Sequence, residues 1–447
     1  MIHKERIQQL NDEKIQNRSW VLYWMQSSQR TEYNHALEYA ILRANELEKP
    51  VLVFFGLTQV PEAGERQYVF MLEGLKEVTR QLNQRGIQCV IQHTDPPSGA
   101  MELAQESCLV VVDRGYLRRE REWRKKGAKG MDCPLIQVET NVIVPVEKAS
   151  PKEEYSAATF RPKIMDQLEY YTAPLQTRTP RVQAEIDLPS LILDTGTMKE
   201  VLSLLSMDIP EQPSFYTGGT ASARTRLNQF IHTSLDSYES LRNDPTVDYC
   251  SHMSPYLHFG QISPLYILLE ILKTESPGKA PYIEQLVVRR ELSMNFIHYN
   301  NHYDTMKGLP AWAQQTLGDH ADDVRDYLYT RDQLEQAQTH DPYWNAAQTE
   351  MVQTGKMHGY MRMYWGKKIL EWSETPAEAF NTAVALNNAY ELDGRDANGY
   401  TGVAWCFGKH DRPWKERSIF GKVRYMNDSG LERKFDAQAY VEKVSQL

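Results

Sequence analysis

Tryptophan is concentrated in the last third of the chain, where six of the nine indole side chains lie between Trp312 and Trp414. Trp365 and Trp372 are seven residues apart in a helical pattern, so both fall on one face of the same helix. Trp344 lies upstream in DPYWNAAQ. Core packing is the ordinary role of such residues. The alternative is an electron-hopping chain, because indole is among the few side chains that are oxidisable at biological potentials, and a nearby flavin would favour it.

Two segments rich in glycine and hydroxyl groups could bind an anion. YTGGTASARTRLNQF places two glycines before a helical run, which suits the approach of an anion to a helix start. In SHMSPYLHFGQISP, residues 251–264, Ser251 and Ser254 could donate to phosphate oxygens. Taken alone, these segments are equally a helix cap and a turn. His252 and His258 are not expected to bind a metal, since no carboxylate or cysteine completes the ligand set, and no metal site is predicted.

Polar residues in two other segments suggest ligand contacts. Glu291 and Asn295 are four residues apart and share a helix face that otherwise carries Leu, Met and Phe. This pattern indicates either a polar contact inside a cleft or an ordinary surface pair. The segment ALNNAYELDGRDANGYTGVAWCFG is dense in Asn, Asp and Gly and contains Asp393 and Arg395. Such density favours a ligand-binding loop, and a long solvated loop is the alternative.

The segment GKHDRPWKERSIFGKVRYM, residues 408–426, combines many cations with aromatic rings. Only two acidic residues interrupt it, and Trp414, Phe420 and Tyr425 are interleaved. The six cations are Lys409, Arg412, Lys415, Arg417, Lys422 and Arg424. This composition is typical of a surface that follows phosphates and stacks bases. A second basic run, DRGYLRREREWRKKGAKG, is interpreted as a solvated helix face.

The segments that must position these residues are of two kinds. In residues 1–147, short β-rich runs such as PVLVFFGL and CLVVVDR alternate with long helical patterns, which predicts a parallel α/β sheet. No GxGxxG or P-loop occurs there. Residues 148–215 are rich in Pro, Ser, Thr and charge and predict a linker. Residues 216–447 lose the β-rich runs and predict an all-α domain.

The bulk composition restricts the class of protein. A net charge of -9 argues against a nucleic-acid partner, unless the cations are segregated as in residues 408–426. The five cysteines are widely spaced and form no CxxC, so a reducing cytoplasm is expected. The polar N-terminus is not expected to be a secretory signal, and no apolar run approaches a membrane span, so no membrane partner is predicted.

In this order along the chain, five segments resemble the class II cyclobutane pyrimidine dimer photolyases, of the photolyase/cryptochrome family. They are SHMSPYLHFGQISP, RRELSMNF, GKMHGYMRMYW, ELDGRDANGY and AWCFGKHDRPWKERSIFGKVRYM. KEEYSAATFRPKI and the TGG segment also fit. The resemblance implies a Rossmann-like α/β antenna domain, a long linker and an all-α FAD-binding catalytic domain.

The resemblance implies that the helical domain holds FAD in a folded conformation. The residues expected to hold the phosphates and ribityl chain are Tyr238, Ser251, His252, Met253 and Ser254. Arg362 and Asp393 would form a salt bridge beside the isoalloxazine, and Asn387 would lie near flavin N5. Other expected cofactor-binding residues are Asn295, Arg395 and Asn398. Trp365, Trp344 and Trp372 would then photoreduce the flavin, in the order proximal, middle and surface.

The resemblance also implies which residues touch the lesion. Glu291 would bind thymine carbonyls and stabilise the arriving negative charge, while Met363 and Trp405 would pack against the dimer. The sequence departs from other photolyase classes in two places. Met294 stands where those classes carry a second tryptophan, and Asn295 stands where they carry an arginine, so the second wall of the lesion pocket stays open.

The implied activity is light-driven repair of ultraviolet-damaged DNA. One electron from photoexcited, fully reduced FAD would open the cyclobutane ring of a flipped-out dimer. The antenna pigment would be a deazaflavin or a folate, or no pigment at all. A cytoplasmic monomer is expected. The alternatives are a cryptochrome-like blue-light receptor, a (6-4) photolyase, and a soluble flavoprotein that binds nucleic acid without light chemistry.

Overall fold

The computed structural model describes residues 2–194, 196–208 and 215–447. Six strands form one sheet in the order β1-β6-β5-β2-β3-β4. The strands are β1 (Ile7–Gln9), β2 (Trp20–Trp24), β3 (Val51–Leu57), β4 (Gln88–His93), β5 (Ser107–Asp113) and β6 (Leu135–Val138). Neighbouring strands are parallel except β1, which pairs antiparallel with β6. The predicted parallel α/β sheet is confirmed, with one short antiparallel strand added at its edge.

The central strands are apolar on both faces because helices cover both sides of the sheet. β2, β3 and β5 are buried along their whole length. Val21 and Tyr23 pack in one apolar cluster with residues 36–44 and 68–82. Leu22 and Trp24 face the other side, in a cluster with residues 100–104. Strict alternation of apolar and polar residues is therefore absent from these strands.

Helices cover the sheet and build the whole second half of the chain. Up to residue 171 they are α1 (His35–Leu47), α2 (Glu65–Gln84), α3 (Pro96–Ala104), α4 (Arg118–Gly130), α5 (Val146–Ala149) and α6 (Ala157–Tyr171). Next come α7 (Met198–Leu204), α8 (Thr220–Thr233), α9 (Tyr238–Leu241), α10 (Ser254–His258), α11 (Pro264–Leu272), α12 (Lys279–Ile283) and α13 (Arg290–Tyr299). The last are α14 (Ala311–Asp319), α15 (Arg331–Glu335), α16 (Pro342–Thr354), α17 (Gly359–Trp372), α18 (Pro376–Tyr390), α19 (Ala397–Cys406), α20 (Asp428–Glu432) and α21 (Ala437–Val444).

Short irregular helices complete the fold. Three are 3₁₀ segments, Lys4–Arg6, Leu235–Ser237 and Met306–Gly308, and the segment Glu284–Arg289 between α12 and α13 is π-helical. Residues 215–447 contain helices, loops and one isolated β-bridge, which confirms the all-α prediction for this half. The domain boundaries at residues 147 and 215 stay a prediction. No described helix has the length and apolar character that crossing a bilayer requires.

One apolar core joins the sheet to the helical half. Phe70 of α2 and Tyr256 of α10 belong to the same cluster, with ring centroids 5.1 Å apart. Gly260 has a φ of +65°, and a Cβ there would lie 2.1 Å from the carbonyl oxygen of Ser27, so only glycine fits. Arg30 donates to the Gly260 carbonyl at 2.9 Å. These contacts hold the segment 251–264 against the carboxyl edge of the sheet.

Candidate functional site

A cleft of about 480 Å³ opens in the helical half of the chain. Segments far apart in sequence form its walls, namely residues 247–258, 282–290, 350–362, 393–398 and 443–447. The predicted cofactor residues that line it are Tyr238, Ser251, His252, Met253, Ser254, Arg362, Asp393 and Asn398. The fold therefore brings these predicted residues around one cavity.

Three other predicted residues do not line this cleft. Asn295 is fully buried on α13, where its Oδ1 accepts from the Glu154 amide at 2.8 Å and its Nδ2 donates to the Lys152 carbonyl at 2.9 Å. The face of α13 that carries Asn295 is thus turned to the segment before α6. Arg395 lines a second cavity, and Asn387 is buried outside the cleft lining.

Four charged residues form a network at the cleft wall. Arg362 Nη2 lies 2.8 Å from Glu391 Oε1, and Lys356 Nζ lies 2.8 Å from Asp393 Oδ1 and 3.1 Å from Glu391 Oε2. The expected direct pair of Arg362 with Asp393 is replaced by a chain in which Glu391 and Lys356 stand between them. Burial alone would raise the pKa of Asp393, but Lys356 and Arg362 hold it well below its usual range. Burial raises the pKa of Glu391.

Two guanidinium groups in the cleft carry unused donors. Nη1 of Arg290 and Nε of Arg362 are buried and have no hydrogen-bond partner in the described parts of the chain. The second amino group of Arg290 donates to the Asn141 carbonyl at 2.8 Å. A buried donor without a partner costs roughly 1–3 kcal/mol. The cleft is therefore suited to a ligand that supplies acceptor atoms to these groups.

The loop before α10 is fixed at the edge of the cleft. His252 has a φ of +54°, which is unfavourable for a residue with a side chain. Its ring nitrogens lie 2.9 Å from the Tyr216 hydroxyl and 2.6 Å from Asp248 Oδ1, which hold it there. Lys356 Nζ donates to Ser254 Oγ at 3.0 Å. The backbone that would carry phosphate donors is thus held on both sides.

Three indole rings of α16 and α17 form a continuous chain. Trp365 and Trp344 are stacked, with centroids 6.5 Å apart and planes 6° apart, and Trp344 meets Trp372 edge-on at 5.8 Å. Trp344 Nε1 donates to the Trp365 carbonyl at 3.0 Å. Trp344 contacts both other rings, and which ring lies nearest the flavin stays a prediction. The expected surface position of Trp372 is wrong, because this side chain is 2% exposed and Tyr329 packs against it.

The basic segment 408–426 folds around an exposed indole. Trp414 is 42% exposed, and the guanidinium groups of Arg412 and Arg424 lie 5.3 Å and 5.2 Å from its ring centroid. The Trp414 amide donates to the Lys422 carbonyl at 2.8 Å, which closes the segment into a narrow loop. The exposed cations of this loop are Arg412, Lys415, Arg417, Lys422 and Arg424.

Lys409 differs from the other cations of this segment. It is buried, its Nζ contacts Glu153 and the Gly308 carbonyl, and it lies 4.0 Å from the Phe296 ring centroid. Burial lowers its pKa, although Glu153 acts in the opposite sense. Lys409 therefore joins the segment to α13 and the linker, and the expectation that it binds phosphate is not supported by its position.

A model of the DNA photolyase family matches residues 21–181. A protein of Methanothermobacter thermautotrophicus named deoxyribodipyrimidine photo-lyase is 53% identical over 452 residues, covering 100% of this chain and 99% of that protein. The chain belongs to the DNA photolyase family. A protein of the same name from Oryza sativa subsp. japonica is 42% identical, covering 96% of this chain and 88% of its own length.

Solved structures of photolyases and cryptochromes share the fold. A class III photolyase from Agrobacterium tumefaciens superposes with a TM-score of 0.71 at 18% identity, covering 96% of this chain and 87% of its own. A cryptochrome from Synechocystis sp. PCC6803 gives 0.73 at 14% identity, covering 95% and 88%. At these identities the likeness concerns the fold alone.

Glu291, expected to touch the lesion, faces away from the cleft of this photolyase-family chain. Its carboxylate accepts from the amides of Ile143 and Val144, and the side chain is 2% exposed. Burial raises its pKa to about 7, although Arg290 and the two amides act in the opposite sense. The π-helical segment adds a residue to the preceding turn and so changes which side chains face the cleft. Glu291 joins α13 to the end of the sheet domain.

Met363 and Trp405, the other expected lesion contacts, are both half-buried. Met363 follows Arg362 of the cleft, and the thiol of Cys406, next to Trp405, lies 3.9 Å from the Met363 carbonyl. The two side chains therefore project from adjoining backbone. Met363 is next to the cleft in sequence, and Trp405 is close to the basic segment 408–426.

A second cavity of about 150 Å³ lies where the carboxyl ends of β2 and β3 meet the helical half. β2 is the strand at which the strand order reverses, the usual ligand position in such sheets. Its walls include Met25, Phe55, Tyr68, Arg119, Glu120, Trp123, Phe259 and Arg395. His258 lines both cavities, and its Nδ1 lies 3.2 Å from Asp396 Oδ2. No cluster of His, Cys, Asp and Glu suited to a metal ion occurs in residues 2–194, 196–208 and 215–447.

Sequence reasoning missed several polar residues of the cleft, among them Gln285, Arg290 and Lys356, and it missed Glu391 of the charge network beside them. Gln285 and Arg290 are five residues apart, which is the spacing that a π-helical turn brings to one face. For Gln285 this spacing is the only signal, and a search for periods near 3.6 overlooks it, whereas Arg290 lies within the family motif RRELSMNF. Lys356 and Glu391 each lie within a quoted family motif.

Proposed function

We propose that this chain uses light and bound, fully reduced FAD to split cyclobutane pyrimidine dimers in ultraviolet-damaged DNA. The observation that carries the proposal is the continuity of α17. This helix presents Arg362 in the cleft and, three residues later, Trp365 at the head of the indole chain. Roughly 4.5 Å of helix rise separates the two positions. The name of the relative that is 53% identical over both full lengths supports the same activity, and the quoted motifs support class II.

The cleft fits FAD by size and by chemistry. Its volume of about 480 Å³ lies in the range of cofactor sites. Arg290 and Arg362 would give their unused donors to the phosphates or ring carbonyls, with hydroxyl donors from Ser251 and Ser254. When bound, FAD would supply the light absorption and the electron that opens the cyclobutane ring. The unused Nε donor of Arg362 would donate a hydrogen bond to an anionic form of the bound group and so favour that form.

The indole chain would keep the bound cofactor reduced. Trp372 of α17, Trp344 of α16 and Trp365 of α17 would carry an electron inward in that order, through centroid steps of 5.8 Å and 6.5 Å. All three rings are buried, and the oxidised Trp372 that the transfer leaves would be reduced again by an electron donor from solution, such as a small thiol. The chain needs no metal or side-chain nucleophile for this role.

The basic segment 408–426 would bind the damaged duplex. The exposed cations would contact phosphates, and Trp414 would stack on a base. Met363 and Trp405 would receive the flipped dimer, whose extrusion is less costly because the lesion is poorly paired and stacked. We include in the proposal that the enzyme is a monomer and acts in the cytoplasm, where its DNA lies.

The second cavity would hold an antenna pigment. Its walls combine aromatic and aliphatic side chains with polar ones, and Gln26, Arg119 and Glu120 are among the polar groups that would fix a planar heterocycle. A deazaflavin or a folate is the proposed class. The position at the carboxyl ends of β2 and β3 supports this assignment.

The experiment that tests the function is a repair assay on a synthetic thymine-dimer oligonucleotide. The purified protein is reduced anaerobically and assayed under blue light and in the dark, with a (6-4) oligonucleotide in parallel. We expect loss of the cyclobutane dimer only in the light. Loss of the (6-4) product alone would assign that class of photolyase. Bound FAD without repair of either lesion would favour a light receptor, and loss in the dark would exclude light-driven chemistry.

A further inference from the structure

Glu284, the first residue of the π-helical segment, holds two arginines. Arg161 of α6 donates from Nε to Oε2 at 2.9 Å and from Nη2 to Oε1 at 2.8 Å. Arg289 donates from Nε to Oε1 at 3.1 Å. Burial would raise the pKa of Glu284, but the two arginines lower it. An ionised carboxylate thus anchors Arg289 through its Nε and leaves its terminal amino groups outside the pair.

Arg289 is also held by an indole ring. Its guanidinium carbon lies 5.5 Å from the ring centroid of Trp405, within the range of cation–π attraction. The side chain is 35% exposed, and neither terminal amino group has a hydrogen-bond partner among the residues that the structure describes. Two contacts therefore fix a guanidinium whose terminal amino groups are available to a ligand.

Arg289 lies between residues that line the cleft and a residue that is expected to contact the lesion. Gln285 and Arg290, on the same helix, line the cleft, while Trp405 is the indole expected to pack on the dimer. A dinucleotide packed on that ring would bring its oxygens within reach of the cation bound to the same ring. Such oxygens, whether of pyrimidine carbonyls or of the phosphate within the dimer, are the acceptors that a guanidinium fork binds best.

We propose that Arg289 is a specificity-determining residue that, with Trp405, forms a wall of the lesion pocket and donates to an acceptor oxygen of the flipped dinucleotide. The inference rests on the function proposed above. Arg161 and Glu284 are positioning residues, because they act on the substrate only through Arg289. In this arrangement a cation stacked on an indole forms the second wall of the lesion pocket, which the sequence leaves unassigned.

The test is dark binding of the FAD-loaded protein to a dimer-containing duplex and to the same duplex undamaged, measured by fluorescence anisotropy. Arg289→Met keeps bulk without charge, and Arg289→Lys keeps charge without the planar fork. Arg43→Met is the matched control, because Arg43 is also partly exposed and paired with a glutamate, Glu46, but lies on α1. We expect Arg289→Met to weaken binding of the damaged duplex by roughly 10- to 100-fold, and Arg289→Lys by less. Neither should weaken binding of the undamaged duplex beyond the control.

Arg161→Gln separates positioning from packing. It should weaken damaged-duplex binding in the wild-type background and add nothing to Arg289→Met, since both act through one guanidinium. A dimer whose internal phosphate is replaced by a neutral methylphosphonate distinguishes the two acceptors. If the effect of Arg289→Met disappears with this duplex, the acceptor is the phosphate; if it persists, the acceptor is a carbonyl.

Equal losses on damaged and undamaged duplex, or additive losses in the Arg161 and Arg289 double variant, would overturn the proposal. So would unchanged binding by both Arg289 variants. If the wild-type protein itself neither prefers nor repairs the dimer, the proposed function fails. If it does both and the Arg289 variants match it, only the role of Arg289 fails.

Discussion

Glu291→Gln tests whether the buried carboxyl of Glu291 is a structural joint between the halves of the chain. The substitution keeps the size of the side chain and removes its titration. In the folded protein, burial raises the pKa of Glu291 from 4.5 to about 7. The folded protein therefore keeps this proton up to about pH 7, while the unfolded chain releases it near the ordinary pKa of 4.5.

The sign and size of the effect follow from this difference. Between these two pH values the unfolded chain binds fewer protons than the folded protein, so the contribution of Glu291 to the free energy of unfolding falls as pH rises. Each pH unit is worth about 1.4 kcal/mol, which makes the total on the order of 3 kcal/mol. The variant lacks this dependence. The stability of wild type relative to Glu291→Gln should therefore decline by that amount from about pH 4.5 to 7.

The assay is urea unfolding of both proteins at several pH values, because all other titrating groups cancel in the difference at each pH. A difference that grows with pH would mean that the amides of Ile143 and Val144 and the charge of Arg290 outweigh burial and lower the pKa. Repair by pre-reduced enzyme is the second readout, and we expect the variant to retain it. Collapse of repair with a stable fold would return Glu291 to the lesion pocket and refute the geometric argument.

Three further predictions concern the indoles and the charge network. Trp344→Phe leaves Trp365 and Trp372 about 10.5 Å apart along α17 in place of two shorter steps. Photoreduction of oxidised FAD, followed by transient absorption, should therefore slow, while repair by pre-reduced enzyme persists. Loss of both activities would make Trp344 structural only. Trp414→Ala should weaken duplex binding by roughly 1–3 kcal/mol in anisotropy titrations, and unchanged affinity would remove Trp414 from the interface. Asp393→Asn leaves Lys356 with one carboxylate fewer and should lower the free energy of unfolding by about 3–5 kcal/mol, whereas a loss below that of a surface pair would show that solvent screens the network.

The central strands were predictable because both of their faces are buried. Runs such as Val51–Leu57 contain no polar alternation and are too short for helices, so they have one interpretation. β1 was not predictable, because Ile7–Gln9 is short and polar and is a strand only through its pairing with β6. β6 ends at Val138, and the apolar residues Ile143 and Val144 further along donate their amides to Glu291 instead of to a neighbouring strand.

The site was predictable where neighbouring residues act together and not where distant residues decide. The cleft residues 251–254 could be predicted because they belong to one contiguous motif. The partner of Asp393 did not, because Lys356 reaches it from another segment. The sequence predicts that Lys409 binds phosphate, but in the fold it binds Glu153, which is far away in sequence. The orientation of Glu291 depends on one π-helical turn, which the sequence pattern does not reveal.

The shared wall of the two cavities has a consequence for energy transfer. His258 borders both cavities, and one uninterrupted apolar core holds the sheet against the helices around them. Two chromophores bound there would keep the same separation and the same angle between their transition dipoles in every molecule. Excitation passing from one to the other would then have a single efficiency that is set when the chain folds, and motion of one half against the other would not modulate it.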